Sequence, residues 1–260
     1  MATAYKDIMV YLDPTNGSQD RLSLAISLAR DHGARLIGVD ASTNEAFNGA
    51  WGERALRIGP NFDAALQSAG LKGEFLASAP RSPPGEGLMH CVDLILAPRP
   101  EGEARSLIRS EIPDGPLHAS GAPVLILPQD WKPGPVGENV VIAWNASREA
   151  TRAVHDAMPL LTKAKKVTIF TFSPRRSELR AASELLANHL SHHGVASHLS
   201  DWTNTGDISA VEALFASLDT QDADLIVAGA FGHSRLFESL FGGVSLDLLR
   251  QPTIPILMSH

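Results

Sequence analysis

The chain has 260 residues, of which 44% are hydrophobic, and its formal net charge is -7 at pH 7. This length predicts one or two domains, and we expect two. An acidic chain lacks the basic field that nucleic acids and anionic membranes require, so we expect neither as a partner. No apolar run approaches the roughly 18 residues that span a bilayer, and the first residues lack a signal peptide's features. The expected location is the cytoplasm.

One cysteine, Cys91, stands in the apolar segment LMHCVDLIL. A single cysteine forms neither an internal disulfide nor a multi-cysteine metal site. Its apolar neighbours predict a small buried residue rather than a reactive thiol. The chain also contains no Walker motif, dinucleotide fingerprint or zinc signature.

The first half of the chain alternates short apolar runs with segments of helical spacing. An apolar run at 8–12 precedes a turn-rich segment, and apolar residues then recur at helical spacing until Gly33. This order predicts parallel strands joined by helices, as in a doubly wound α/β domain. Further strands are predicted at 35–40, 74–78, 94–97 and 123–127, a helix near 62–69 and a helical turn at 88–92.

Proline and glycine are concentrated at 129–138, which predicts a linker between a domain at 1–128 and a second at 139–260. Beyond it the run at 140–144 repeats the one at 8–12, at an offset of about 132 residues. The chain is therefore predicted to contain two copies of one β-α unit. In the second copy, strands are predicted at 166–172, 195–199, 225–228 and 254–258, and helices over 150–161, 179–190 and 208–218, the last capped by Asp207.

Ligands in doubly wound sheets bind beyond the carboxyl ends of the strands. In the second copy, Asn145 follows the first strand and Gly229 follows the fourth. If these two strands are neighbours, their ends face one crevice, and we predict a binding site there.

Glycines after the fourth strand of the second copy predict a phosphate cradle. Gly229 and Gly232 permit a turn that side chains would obstruct, and Gly242 and Gly243 precede a helical pattern whose first N–H groups favour an anion. The matching strand of the first copy is followed by the residues 98–101, PRPE, whose prolines lack N–H groups and whose glutamate is anionic. The first copy is therefore predicted to have lost its cradle.

The repeat length, the strand order and the Gly229-x-x-Gly232, nine-residue, Gly242 spacing resemble the universal stress protein (UspA-like) family in its tandem form. The resemblance implies two Rossmann-like domains of the adenine nucleotide alpha hydrolase-like type. It also implies a stress-response module that is not an enzyme and that binds ATP, ADP or AMP. The residues expected to bind the nucleotide are Asn145, Ala146, Gly229, Gly232, His233, Ser234, Gly242, Gly243, Val244 and Ser245.

The chain departs from the family pattern in two ways. Nucleotide-binding members resemble one another in an aspartate that closes the first strand near the adenine and in a Ser/Thr that follows the last glycine of the cradle. Here Asp13 lies in the copy without a cradle, whereas Asn145 replaces the aspartate in the copy with one. Gly243 replaces the Ser/Thr, and the lost hydroxyl removes about 1 kcal/mol of hydrogen bonding. A monophosphate or diphosphate is therefore less affected than ATP.

Two other functions stay open from the sequence. Gly232-His233-Ser234 resembles the start of a hydrolase nucleophile elbow, but Leu236 stands where that motif needs glycine. A protein that binds only partner proteins and no ligand is the second alternative.

The histidines at 189, 192 and 193 have a spacing that places two imidazoles on one helix face. Without a nearby acidic residue, we expect solvated side chains near a helix C-terminus rather than a metal site.

Matching apolar segments close both copies, PVLIL and PILM. An unpaired apolar edge strand promotes aggregation, so we expect both edges to be covered. In the family resembled, single-repeat members dimerise through this last strand, which implies an internal pseudo-dimer here. The protein partners are unknown, and the acidic surface leaves further association into a homodimer open.

Overall fold

The structure is a computed structural model that describes residues 4–41, 56–77, 87–99, 120–173, 176–203, 208–230, 248–249 and 252–260, with the backbone alone at 176–178. The chain divides into two compact units, which comprise residues 4–133 and 134–260. The division lies within the proline-rich and glycine-rich stretch at 129–138. Within each unit, five strands pair in parallel.

The first unit contains five parallel strands in the order β3-β2-β1-β4-β5. Because β1 lies between β2 and β4, its carboxyl end is at the point where the direction of winding reverses, the usual ligand position in such folds. The elements are β1 (Asp7–Leu12), α1 (Gly17–His32), β2 (Arg35–Asp40), α2 (Ile58–Ala69), β3 (Gly73–Leu76), a short 3-10 helix (Leu88–Cys91), β4 (Leu94–Pro98) and β5 (Val124–Leu127).

The second unit repeats this arrangement, with parallel strands in the order β8-β7-β6-β9-β10. The predicted fold class, two tandem doubly wound α/β domains, is confirmed. How the closing strands of the two units relate stays a prediction. The elements are β6 (Asn139–Ala143), α3 (Arg148–Leu161), β7 (Lys166–Ser173), α4 (Arg176–His192), β8 (Ser197–Thr203), α5 (Ala210–Gln221), β9 (Leu225–Gly229) and β10 (Ile256–Ser259).

An aspartate holds the start of the central strand in both units. In the first, the carboxylate of Asp93 accepts hydrogen bonds from the backbone N–H groups of Lys6 and Asp7, at 2.6 and 2.9 Å. In the second, Asp224 accepts three such bonds, of 2.7, 3.1 and 3.0 Å, from the N–H groups of residues 137–139. The two aspartates are about 131 residues apart, so the repeat extends to side-chain contacts.

Glycines follow the ends of two helices, α1 and α4. Gly33 and Gly194 adopt φ values of +61° and +78°, a left-handed conformation that favours glycine. Two predictions are wrong. Cys91 is exposed, because it ends a four-residue 3-10 helix instead of lying inside an element. Ser209, not Asp207, is the N-cap of α5, and Asp207 lies outside the described residues.

Replacing Ser209 by alanine is expected to lower the free energy of unfolding by about 1 kcal/mol. The Ser209 hydroxyl accepts from the Glu212 N–H at 3.2 Å, and the Glu212 carboxylate accepts from the Ser209 N–H at 2.7 Å. The substitution removes the hydroxyl, so the Glu212 N–H loses its acceptor, whereas the bond from the N–H of residue 209 to the Glu212 carboxylate is retained. Urea denaturation measures the change. Ser68→Ala is the control, because Ser68 lies on exposed α2 surface and donates only to the Ala64 carbonyl; an equal loss in both variants would contradict the capping role.

Candidate functional site at the strand ends of the second unit

The predicted crevice joins the ends of two neighbouring strands. β6 and β9 pair in parallel, with Ala143 opposite Ala228, so the residues that follow each strand leave the sheet at the same edge. Asn145 is exposed there, and its side-chain oxygen accepts a hydrogen bond from the Ser147 N–H at 3.1 Å. This bond orients the amide and leaves its NH₂ group as the donor for a ligand.

Gly229 brings the end of β9 against the first turn of α3. A Cβ atom at this position would lie 2.4 Å from the Ala150 backbone nitrogen and 2.6 Å from the Glu149 carbonyl carbon. Backbone atoms cannot rotate away, so only glycine fits. Gly229 is the last residue of β9, and the structure shows that it must be glycine because the N-terminus of α3 lies so close to it.

Ala146 lies between Asn145 and the helix cap with φ +59°. A left-handed conformation is uncommon for alanine and costs about 1–2 kcal/mol. Such strain is often found where a site requires a particular backbone path. In the first unit the matching residue is Pro14, whose ring fixes φ at a negative value. The two loops therefore follow different paths after the same strand.

Most residues of the expected phosphate cradle lie outside the described residues. Of the predicted site residues, the structure brings Asn145, Ala146 and Gly229 to one edge of the sheet. The others lie outside the described residues: Gly232, His233, Ser234, Gly242, Gly243, Val244 and Ser245.

At the equivalent strand end in the first unit, the aspartate is held in a buried ion pair. Asp13 and Arg21 are 5% and 3% exposed, and the Arg21 guanidinium binds the Asp13 carboxylate directly. The other carboxylate oxygen accepts from the N–H of Thr15 at 2.8 Å and from its hydroxyl. Arg21 also donates to the Tyr11 carbonyl at 2.6 Å. Both oxygens of Asp13 therefore bond within the protein, and neither is left for an adenine edge.

Arg21 explains why the two strand ends differ. At the same repeat offset of about 132 residues, Ala153 replaces Arg21 and Asn145 replaces Asp13. The first unit thus has a buried, charged pair at these positions, whereas the second has an exposed, neutral Asn145 and a buried Ala153. Burial lowers the pKa of Arg21 from its ordinary value, and the Asp13 charge opposes that change.

The histidines near the end of α4 contact a histidine of α3. His189 stacks on His155, with ring centroids 5.4 Å apart and planes at 15°. It also meets the edge of His193 at 4.7 Å. His192 and His193 are exposed as expected, whereas His189 is half-buried. The described part of the chain contains no group of three His, Cys, Asp or Glu side chains that could hold a metal ion.

Lowering the pH is expected to destabilise the second unit through His189. Burial, followed by repulsion from His193, His155 and His192, lowers the pKa of His189. As the pH falls, the unfolded state therefore takes up this proton at a higher pH than the folded state does. The free energy of unfolding contributed by His189 thus rises with pH below about 6.5 and is lost on acidification. Melting temperatures between about pH 5 and pH 8 measure this slope. His189→Gln should flatten it, whereas His198→Gln on exposed β8 should not; equal slopes would contradict the assignment.

Comparison with solved structures finds the same fold along the whole chain. A universal stress protein from Archaeoglobus fulgidus is 18% identical, covers 97% of each chain and has a TM-score of 0.73. A candidate universal stress protein from Pseudomonas aeruginosa UCBPP-PA14 is 16% identical, covers 99% of this chain and 94% of its own, and has a TM-score of 0.66. No protein-family model and no curated protein matches the sequence.

The chain therefore has the fold of the tandem universal stress proteins, which confirms at the level of fold the resemblance seen in the sequence. A third structure, a protein of unknown function from Pseudomonas aeruginosa PAO1, also matches over 99% of this chain and 93% of its own, with 15% identity and a TM-score of 0.64. In the described residues, no helix is long and apolar enough to cross a membrane.

Proposed function

We propose that this protein is a cytoplasmic tandem universal stress protein that binds one adenine nucleotide, in its second repeat, and acts without catalysis. The observation that supports this most is the contrast between the two strand ends. Asn145 is exposed beside Gly229, whereas Asp13 is buried and bonded to Arg21. One strand end presents an exposed amide to a ligand, whereas at the other the aspartate carboxylate is already bonded within the protein.

The described residues suit the adenine end of the ligand. The Asn145 NH₂ group can donate to an adenine ring nitrogen, and its oxygen keeps one lone pair beside the bond from Ser147. The first turn of α3 offers no anion site, since the Ser147 hydroxyl already accepts from the Ala150 N–H at 3.1 Å and Glu149 lies in that turn. The phosphates are therefore assigned to the glycine segment that includes Gly232 and Gly243.

Native mass spectrometry of freshly purified protein, with thermal-shift titrations of AMP, ADP and ATP, tests the proposal. We expect one nucleotide per chain and a melting temperature that rises with nucleotide concentration. Asn145→Ala should weaken binding, whereas Asn61→Ala, on the corresponding face of the first unit, should leave it unchanged. A protein that carries no ligand and shifts with no nucleotide would be a partner-binding module instead.

The phosphate position is tested by Gly243→Ser, which restores the hydroxyl of the family pattern. One additional neutral hydrogen bond should raise ATP affinity about five-fold. Gly87→Ser is the control, since nothing lies within 4 Å of a side chain at Gly87. Unchanged affinity in Gly243→Ser would place the phosphates elsewhere.

The hydrolase alternative depends on Ser234 and has its own test. Ester turnover that disappears in Ser234→Ala would favour a nucleophile and oppose the non-catalytic proposal. Turnover that is absent, or unchanged by the substitution, would remove the alternative.

A further inference from the structure

The second unit contains a groove between α3 and α4 that the proposed nucleotide site does not use. Its volume is about 280 Å³. An engineered apolar cavity of about 150 Å³ is enough to bind benzene, so this groove has room for one substituted ring. The side chains that form it include Trp144, Val154, His155, Leu185, Leu186 and His189.

Trp144 carries a buried polar atom for which the described residues provide no hydrogen-bond partner. Its indole nitrogen is buried and has no hydrogen-bond partner among the residues that the structure describes. A buried indole N–H usually finds an acceptor, because a donor removed from water without a partner is unfavourable. Leu12 occupies the matching position in the first unit and is 2% exposed. A purely apolar side chain therefore fills this position in the first unit, so the fold itself does not require an indole N–H there. An acceptor supplied from outside would satisfy Trp144.

The opposite wall of the groove is apolar and open to solvent. Leu185 is 71% exposed, and in the described chain only Leu56 is a more exposed large apolar side chain. The stacked imidazoles of His155 and His189 add flat surfaces to the same groove. Burial, followed by repulsion from neighbouring histidines, lowers the pKa of His189, which disfavours a charged ring beside the groove.

The same place in the first unit has different chemistry. A groove of about 210 Å³ lies between α1 and α2, and Leu12, Gln19 and Leu22 in it correspond to Trp144, Thr151 and Val154. Its other residues include Asp13, Asn16, Arg57 and Asn61, which are polar. The fold therefore leaves a groove between the first and second helices of each unit, and only in the second unit is the groove apolar.

We propose that the groove between α3 and α4 binds a small, planar, uncharged aromatic molecule that carries one hydrogen-bond acceptor. The acceptor bonds to the Trp144 indole N–H, and the ring packs against Leu185 and the His155–His189 pair. Binding here does not depend on a nucleotide at Asn145.

Acetophenone is a suitable probe, because it is a planar aromatic ring with one carbonyl acceptor. Ethylbenzene is the control compound, because it has a similar size and lacks the carbonyl. The indole N–H signals in a ¹⁵N spectrum report binding, and Trp144→Phe assigns the signal among the four tryptophans. We expect acetophenone to shift the Trp144 signal in a saturable manner, with an affinity about five-fold higher than that of ethylbenzene. In Trp144→Phe, the two probes should bind equally.

Leu185→Glu tests the apolar wall without disturbing the core, since the side chain is largely exposed. It should abolish acetophenone binding, whereas Leu56→Glu, which changes the exposed leucine of the first unit, should leave it intact. An unmoved Trp144 signal, equal affinity for both probes in the unmodified protein, or unaltered binding in Leu185→Glu would overturn the proposal. If AMP displaced acetophenone, so that the Trp144 signal returned to its position without the probe, the proposal would also be overturned, because the groove would then be part of the nucleotide site.

Discussion

Replacing Arg21 by alanine is expected to lower the free energy of unfolding of the first unit by about 3–5 kcal/mol. The substitution leaves the Asp13 carboxylate buried without a counter-charge, and it removes a 2.6 Å hydrogen bond to the Tyr11 carbonyl. Urea denaturation followed by circular dichroism measures the loss, which should appear in the transition of the first unit.

The control for this variant is an ion pair in the same sheet that is open to water. Arg35 is 45% exposed and pairs with Asp7 at 2.7 Å, so Arg35→Ala should change the free energy of unfolding by less than about 1 kcal/mol. The double variant Arg21→Ala with Asp13→Asn installs the neutral pair that the second unit has. It should be more stable than Arg21→Ala alone, because it removes the unpaired charge. Equal or lower stability would show that the buried charge is not the cause.

Gly229→Ala is expected to lower the free energy of unfolding by about 3 kcal/mol and to weaken nucleotide binding. The added Cβ meets backbone atoms of Glu149 and Ala150 at 2.6 and 2.4 Å, so β9 or α3 must move. Because Asn145 lies just before α3, any displacement of that helix also moves the candidate site. Denaturation and thermal shift with AMP measure the two effects separately.

Gly87→Ala is the matched control, since Gly87 has nothing within 4 Å of its missing Cβ. That substitution should change the free energy of unfolding by no more than about 0.5 kcal/mol. Similar losses in the two variants would mean that the effect is a general cost of replacing glycine and not the contact with α3.

The sheet order and the tandem repeat could be predicted because each strand carries its own apolar run. The runs that became β1 and β6 lie at a constant offset, and the parallel connections follow from the helices between them. The helical turn at 88–92 could be predicted, but the exposure of Cys91 could not, because apolar neighbours do not indicate which side of so short a helix is buried; Met89 is buried there and Cys91 is exposed. The N-cap of α5 was misplaced because Asp207 and Ser209 both suit that position, and only the backbone path selects one.

The Asp13–Arg21 pair was missed, although the sequence contained a signal. Arg21 stands beside Leu22 in the apolar stripe of a helix, at a position where the second copy has Ala153. When one repeat has a cationic side chain at a helix position where the other repeat has a small apolar residue, the cation is expected to have a buried anionic partner. The His155–His189 contact had no such signal, because the two residues lie on different helices and only the packing of α3 on α4 brings them together.

The ion pair at the first strand end also restricts how the two repeats can change over evolutionary time. Losing either Asp13 or Arg21 alone leaves a buried charge without its partner, so a chain that has lost only one of them is destabilised. Replacing the ion pair by a neutral pair requires coordinated substitutions at Asp13 and Arg21, whereas the neutral Asn145 and Ala153 can each change alone. The first unit is therefore constrained at these two positions, whereas the matching positions of the second unit can accept single substitutions.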